Sequence, residues 1–184
     1  ERRGLDTAAD WVAERMERLG GRVTRLSTGD SPPFLFAELG SGRAADSLLI
    51  YNHYDVQPAD PLELWTAPPF EPEVRAGRLF ARGVADNKAN LLGRIQAIEA
   101  WQAAVGPLPI RVRWLIEGEE EVGSPHLDAL ADAHGDLWAD SAGCLWETGY
   151  KDEAGRMVMY AGCKGLAAFE LTVRTAPADK HSAF

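Results

Sequence analysis

Four glutamates lie within five residues of this sequence, in the segment 117–124 that reads EGEEEVGS. The segment directly follows an apolar run, residues 112–116, which predicts a buried strand. Like charges crowded at the end of a buried strand repel one another. The repulsion is relieved by exposure to water, by raised pKa values or by bound cations. A solvated acidic loop is the ordinary interpretation of such a run, and a cation site is the alternative with chemical consequences.

The residues that follow the glutamates favour an ordered turn. Ser124 is a good helix N-cap, and Pro125 suits the first helical position. The sequence therefore predicts a short strand-to-helix turn that confines the carboxylates, followed by a helix that ends near His134. The side chains of His126 and His134 on this helix are expected at the surface.

A second group of candidate ligands is the pair His53 and Asp55. In an extended chain, side chains two residues apart point the same way. One of them can bind a metal ion while the other accepts the second ring N–H and thereby fixes the tautomer. An exposed polar pair is the alternative interpretation of so short a pattern.

A third candidate is Asp86, which lies between a glycine turn at Gly83 and the start of a predicted helix over residues 88–104. From this position one carboxylate could bridge two cations, and an ordinary N-cap aspartate is the alternative. Imidazole and carboxylates without thiolates form a ligand set suited to Zn²⁺, Mn²⁺ or Co²⁺.

The predicted elements bring these candidates to one edge of a sheet. Strands at 47–51, 110–116 and 142–147 alternate with the two helices, which predicts a parallel α/β sheet with right-handed crossovers. Ligands of such sheets bind beyond the carboxyl ends of the strands. The candidates at those ends are His53, Glu120, Glu121 and Glu147, with Asp86 at a helix N-terminus on the same side.

The flanking parts of the chain have different patterns. A helix over residues 5–19 and strands at 23–26 and 34–39 are predicted before the alternating region. After Gly149 the pattern changes to strands at 157–161 and 166–175, and a domain boundary is predicted near Cys163.

Composition excludes some classes of partner. The 184 residues carry a formal net charge of −9, which disfavours nucleic acid and anionic membranes as partners because both need a basic surface. No apolar run approaches the ~18 residues of a membrane span. Two cysteines without a CxxC pattern indicate a reducing, cytoplasmic setting.

Three motifs in order, HYDVQP at 53–58, RGVADNK at 82–88 and EEVGS at 120–124, resemble the co-catalytic metallopeptidases of the M20 family, and most of all its carnosinase-like dipeptidase branch. The resemblance implies an α/β catalytic domain with a mixed, largely parallel sheet flanked by helices, here residues 1–162. An inserted α+β lid domain that mediates homodimerisation would begin at residues 163–184. The chain is accordingly expected to be part of a longer protein and to be inactive by itself.

The resemblance also implies a role for each motif residue. His53 would bind one metal ion, with Asp55 clamping its ring, and Asp86 would bridge two ions through a carboxylate followed by a cis peptide to Asn87. Glu120 would be the general base and Glu121 a metal ligand. Further residues with implied roles are Glu147, as the carboxylate on the second ion, and His181, as the lid histidine that reaches a substrate oxygen.

The sequence departs from the family pattern at four places, namely Ala81, Asn87, Ala89 and Ala183, where the family usually has glycine or, at position 87, frequently aspartate. None of these changes removes a ligand. The family's last ligand, a histidine, is expected beyond Phe184.

The expected function is hydrolysis of a dipeptide or short peptide by water activated between two divalent ions, with zinc favoured and manganese or cobalt as alternatives. An N-acyl amino acid deacylase or carbamoylase on the same scaffold is one alternative function. A non-catalytic binding module is another.

Overall fold

The computed structural model describes residues 2–42, 46–147, 149–160, 162, 165 and 167–174. The helices are α1 (Arg2–Arg18), α2 (Ala89–Ala104) and α3 (Leu127–His134). The strands are β1 (Arg22–Leu26), β2 (Phe34–Leu39), β3 (Ser47–His53), β4 (Glu73–Arg75), β5 (Arg78–Phe80), β6 (Arg111–Glu117), β7 (Gly143–Leu145), β8 (Tyr150–Lys151) and β9 (Met157–Val158).

A mixed five-stranded sheet of order β1-β2-β6-β3-β7 organises the described residues. Strand β3 pairs in parallel with both β6 and β7, whereas β2 pairs antiparallel with β1 and β6. The predicted α/β class, with a mixed sheet flanked by helices, is confirmed. Because β3, β6 and β7 run in the same direction, their carboxyl ends lie at one edge, as expected from the strand–helix alternation.

Apolar side chains cover both faces of the sheet, because adjacent residues of a strand point to opposite sides. Ile50 and Trp114 face α1 and α2 and pack with Ile95, whereas Tyr51 packs with Leu115 and, from α3, Leu130 on the other face. Burial on both faces holds the sheet edge in place, since close-packed interiors resist deformation.

The start of α3 differs from the prediction. Ser124 has a φ of 48° and is not the N-cap, and the helix begins at Leu127 instead of Pro125. The Ser124 hydroxyl donates a hydrogen bond to the buried carboxylate of Glu117, 2.9 Å away. The Ser124 side chain, which was predicted to cap the helix, therefore bonds the Glu117 carboxylate instead.

The chain divides into two compact units, Glu1–Gly149 and Tyr150–Phe184. In the second unit β8 pairs antiparallel with β9, so the strand predicted at 157–161 is shorter than expected. The described residues 167–174 contain no strand, although one was predicted there. The predicted boundary residue Cys163 lies outside the described residues, and the division at 162–163 stays a prediction.

Among the described residues, the helices are too short or too polar to cross a lipid bilayer.

Candidate metal centre

The side chain of His53 lies at the carboxyl end of β3 and is completely buried. Its Nδ1 atom is 3.1 Å from Asp55 Oδ1, and its Nε2 atom is 3.0 Å from Asp86 Oδ1. A carboxylate at Nδ1 favours the tautomer with the proton on that nitrogen, which leaves Nε2 as an electron-pair donor. The structure thus brings together the three candidates from the first two motifs.

More carboxylates surround His53 Nε2 than one nitrogen can satisfy. Besides Asp86, Glu147 Oε2 lies 3.3 Å away and Glu120 Oε2 lies 3.8 Å away. A ring nitrogen donates at most one hydrogen bond. Glu147 Oε2 is buried and has no hydrogen-bond partner among the described residues. An unpartnered buried carboxylate oxygen is costly, and a divalent cation between these groups would remove the cost.

The candidate ligand atoms are close enough to share ions. Two groups among the described residues have all their ligand atoms within 4.8 Å of one another, namely His53 with Asp86 and Glu121, and His53 with Glu120 and Glu147. Two ligands at 2.0–2.1 Å from one tetrahedral Zn²⁺ are separated by roughly 3.3 Å. The distance between His53 Nε2 and Glu147 Oε2 has this value. The donor set and its spacing fit a zinc-type site.

Asp55 holds His53 and also the turn after β6 that carries Glu120 and Glu121, called the glutamate turn below. Its two carboxylate oxygens accept hydrogen bonds from the backbone N–H of Glu120, at 3.3 Å, and of Glu121, at 3.0 Å. The Gln57 side-chain amide donates to the Glu121 carbonyl at 2.8 Å. The HYDVQP motif therefore fixes the backbone that presents both glutamates, a function that the spacing of His53 and Asp55 did not predict.

The charges in the cluster perturb one another. Burial by itself would lower the pKa of His53, but the hydrogen bonds with Asp55 and Asp86 outweigh it and raise the pKa to about 9. Burial, reinforced by the charge of Glu120, raises the pKa of Glu147 to about 7. Burial likewise raises the pKa of Glu120, against the opposing charge of His53. In the protein without metal, the imidazole is therefore the main positive charge that the carboxylates share.

Asp86 lies in a helical turn, Val84–Lys88, that joins Gly83 to α2. The peptide bond from Asp86 to Asn87 is cis, as the family resemblance implies. Gly83 has a φ of 80°, and a Cβ atom there would overlap the Val56 side chain. Only glycine fits this turn without a rearrangement, which explains why the Asp86 loop can close over the HYDVQP motif.

Two buried amides behind the cluster were not singled out by the sequence. Asn52 and Asn87 are completely buried and hydrogen-bonded to each other, through Asn52 Nδ2 and Asn87 Oδ1. Asn87 Nδ2 then donates to the backbone carbonyl of Glu147 at 3.0 Å. Asn52 directly precedes His53, and Asn87 directly follows Asp86. This adjacency to candidate ligands is the feature of the sequence from which a role for the two amides could have been predicted.

Two glutamates of the acidic segment, Glu117 and Glu119, make hydrogen bonds within the fold and are not among the candidate metal ligands. Glu117 is completely buried and accepts hydrogen bonds from the hydroxyls of Tyr51 and Ser124. Glu119 accepts hydrogen bonds from the backbone N–H of His126 and contacts its ring Nδ1, each at 3.0 Å. His126 remains partly exposed, as expected for a surface position, and its ring is engaged by Glu119.

His181 lies outside the described residues, so its place relative to the cluster stays a prediction.

The chain is therefore an α/β protein with a candidate metal centre. One imidazole and several carboxylates form this centre at the carboxyl edge of the sheet. The chain belongs to peptidase family M20/M25/M40, whose model matches residues 49–178. The family resemblance drawn from the three motifs is thereby confirmed.

Three relatives place the chain within this family. The Cys-Gly metallodipeptidase dug1 of Schizosaccharomyces pombe is 32% identical over 95% of this chain and 39% of its own length. The succinyl-diaminopimelate desuccinylase of Azoarcus sp. (strain BH72) is 38% identical over 60% of this chain and 28% of its own. The crystal structure of human carnosine dipeptidase 1 matches with a TM-score of 0.74 and 33% identity, over 79% of this chain and 33% of that one. The chain thus spans about two fifths or less of the length of these relatives.

Proposed function

We propose that the protein containing this chain hydrolyses the amide bond of dipeptides or short peptides with the help of two divalent metal ions. The main support is the convergence of Asp86, Glu120 and Glu147 on the Nε2 atom of His53, with a buried oxygen of Glu147 left without a hydrogen-bond partner in the described part of the chain. In the metal-free protein one protonated imidazole must balance all of these carboxylates, and a divalent cation would satisfy them better.

Within this proposal the ligands divide between two ions. His53, Asp86 and Glu147 would hold one ion, because His53 Nε2 lies 3.0 Å from Asp86 and 3.3 Å from Glu147, close to the separation expected around one tetrahedral metal. Asp86 and Glu121, whose ligand atoms also lie within 4.8 Å of each other, would hold the second ion, with Glu121 placed in the turn after β6. The family resemblance had placed Glu147 on the second ion, and the short distance to His53 favours the first ion instead. Zinc suits this set of imidazole and carboxylate ligands, and manganese or cobalt would also be accepted.

Glu120 is the residue that we assign to proton transfer. Its carboxylate stands farther from His53 Nε2 than that of Asp86 or Glu147, and its side chain is 33% exposed against 13% for Glu147. Water and a substrate can therefore reach it. Asp86 is more exposed still, at 63%, but its 3.0 Å contact with His53 Nε2 assigns it to the ion. When bound, divalent ions lower the pKa of a coordinated water molecule and polarise the carbonyl group of the substrate. Glu120 would accept the proton from that water and deliver it to the leaving amine.

The substrate class rests on relatives of this chain. The names of two of them specify dipeptides, as the Cys-Gly metallodipeptidase and carnosine dipeptidase 1. The name of another relative, succinyl-diaminopimelate desuccinylase, specifies removal of a succinyl group and supports N-acyl amino acid hydrolysis as a second candidate function. His181 is proposed to contact a substrate oxygen, and a homodimer through the lid domain is proposed with it.

The experiment is a metal analysis and a substrate panel on the full-length protein. We expect about two divalent ions per chain, and amine release from dipeptides that is abolished by a chelator and restored by zinc. Faster release from N-acyl amino acids than from dipeptides would favour the second candidate function. Fewer than one ion per chain, together with no hydrolysis of either class, would rule out both and favour a binding module.

A further inference from the structure

A hydrogen-bonded relay with a fixed direction runs behind the candidate metal centre. At one end, Trp114 Nε1 and Arg94 Nη1 both donate to Asn52 Oδ1, at 3.0 Å and 2.8 Å. Indole and guanidinium groups can only donate, so they determine that the Asn52 oxygen faces them. Asn52 Nδ2 is left to face Asn87.

The other end of the relay is a group that can only accept. Asn87 Nδ2 donates to the backbone carbonyl of Glu147, and Asn87 Oδ1 accepts from Asn52. Both ends therefore require an amide at position 87, with its oxygen toward β3 and its nitrogen toward the segment after β7. An aspartate in this place would set a carboxylate oxygen against the Glu147 carbonyl oxygen, in a site with no exposure to water.

Both asparagines of the relay directly adjoin a candidate ligand of the same ion. Asn52 precedes His53 at the end of β3, and Asn87 follows Asp86 in the turn before α2. The carbonyl group that Asn87 holds belongs to Glu147 itself. Arg94 adds a second tie, since it donates to the carbonyls of Tyr51, at 3.0 Å, and of Trp146. The relay thus joins the three segments that supply His53, Asp86 and Glu147.

We propose that Asn87 is a positioning residue of the metal centre, and that its side-chain amide sets the separation of Asp86 and Glu147 around the ion at His53. The inference rests on the proposed dinuclear centre. It also explains why this chain has asparagine where the family frequently has aspartate. The Asn52 Nδ2 group needs an acceptor oxygen opposite it and the Glu147 carbonyl needs a donor, and the side-chain amide of Asn87 supplies both. Residues that orient metal ligands typically change metal affinity or activity 10–100-fold when replaced.

The test compares three variants of the full-length protein, Asn87→Asp, Asn87→Ala and Gln102→Glu. Gln102 is the matched control, because its partly buried side-chain amide also donates to a carbonyl group, that of Leu19 at 3.0 Å, but near the end of α2 away from Asp86. The first variant keeps the acceptor and loses the donor. The second loses both without adding charge, and so remains informative if the buried aspartate prevents folding.

The measurement is a titration of each metal-free protein with Co²⁺, followed by its visible absorption spectrum and by metal content, at a temperature well below thermal unfolding. We expect both Asn87 variants to bind the ion at His53 about 10–100-fold more weakly than wild type and to show an altered Co²⁺ spectrum. The loss at the second ion should be smaller, because among the ligands that Asn87 positions only Asp86 reaches it. Gln102→Glu should match wild type in all three readouts.

Two results would overturn the inference. One is wild-type affinity for both ions in Asn87→Ala. The other is tighter binding by Asn87→Asp, because added negative charge alone attracts cations and would show that charge, not positioning, governs this residue. A merely structural role would lower the melting temperature of both variants and leave both metal affinities unchanged. A wild-type protein that binds fewer than one ion would instead remove the proposed function, and the inference with it.

Discussion

At the scale of single residues, one imidazole serves several carboxylates. His53 is in contact with Asp55 on one nitrogen and with Asp86 and Glu147 on the other. Three carboxyl groups around one ring are held there by the protonated ring, since the pKa of His53 is raised to about 9, and, at Asp55, by backbone hydrogen bonds. A divalent ion would displace the ring proton and attract all of these groups at once.

Replacement of Glu120 by glutamine tests the proton-transfer role. The amide keeps the size of the side chain but cannot accept the proton from water, so we expect turnover to fall ~10²–10⁴-fold. Metal content should remain at the wild-type value. The measurement is kcat for dipeptide hydrolysis by the full-length protein, together with metal analysis. Glu71→Gln, at an exposed glutamate far from the turn in sequence, serves as the control. Turnover close to wild type would remove Glu120 from this role.

Replacement of Asp55 by asparagine tests the clamp on the histidine and on the glutamate turn. An amide presents one acceptor oxygen, whereas Asp55 accepts from the backbone of Glu120 and Glu121 and faces His53 Nδ1. We expect metal affinity to fall about 10–100-fold. Competition with a chromogenic chelator measures this change, and an unaltered affinity would show that the clamp is dispensable.

At the scale of elements, the site depends on three parallel strands that end at one edge. Strand β3 supplies His53, β6 leads into the glutamate turn and the segment after β7 supplies Glu147. The turn after β6 must pass close to β3, and Gly118 allows this approach. A Cβ atom at Gly118 would overlap the ring of Tyr54, which is buried and donates a hydrogen bond to the Pro33 carbonyl at 2.7 Å.

A pair of glycine replacements should have opposite effects on stability. Gly118→Ala forces the Tyr54 ring or the turn to move, and we expect a loss of about 1–3 kcal/mol in the free energy of unfolding. Gly93→Ala lies on the exposed side of α2 with no atom in the way, so it should raise stability by about 0.5–1 kcal/mol. Urea unfolding of both variants measures the difference. A neutral Gly118→Ala would contradict the close approach of turn and ring.

At the scale of the whole molecule, the acidic balance and the metal centre are linked. The net charge of −9 includes the carboxylates of the cluster, whose repulsion lowers the stability of the metal-free protein. Ligands that bind only the folded state stabilise it, by about 2.7 kcal/mol when present at 100 times the dissociation constant. Metal removal should therefore lower the melting temperature.

The metal-free protein should lose stability as pH rises. Glu147 has a pKa raised from 4.5 to about 7, so the folded state binds more protons than the unfolded state in this window, and stability falls across it. The stabilising contribution of protonated His53 is complete below 6.5 and is lost as pH rises through about 9. Thermal unfolding of the chelator-treated protein between pH 5 and 9 measures the trend. Saturation with zinc should flatten or reverse it, and a metal-free protein that becomes more stable toward pH 9 would contradict this account.

Much of the architecture followed from periodicity and spacing alone. The helical pattern of residues 5–19 predicted α1, the residues 34–39 predicted β2 with its observed bounds, and the alternation over 47–147 predicted the parallel strands. These features are local, because apolar spacing and glycine turns act within a few residues. The start of α3 was predicted wrongly, since Ser124 bonds a carboxylate that lies beside it only in the fold.

The sequence alone determined which residue types could bind metal ions and which strand ends would present them, because motif order and strand direction are properties of the chain. Only the tertiary structure decided that Glu147 lies against His53, that Asp55 also holds the glutamate turn, and that Asn52 and Asn87 form a relay behind the cluster. These contacts join residues that are up to 94 positions apart in the sequence. The direction of each hydrogen bond depends on what the folded neighbours can donate or accept, and no local pattern contains that information.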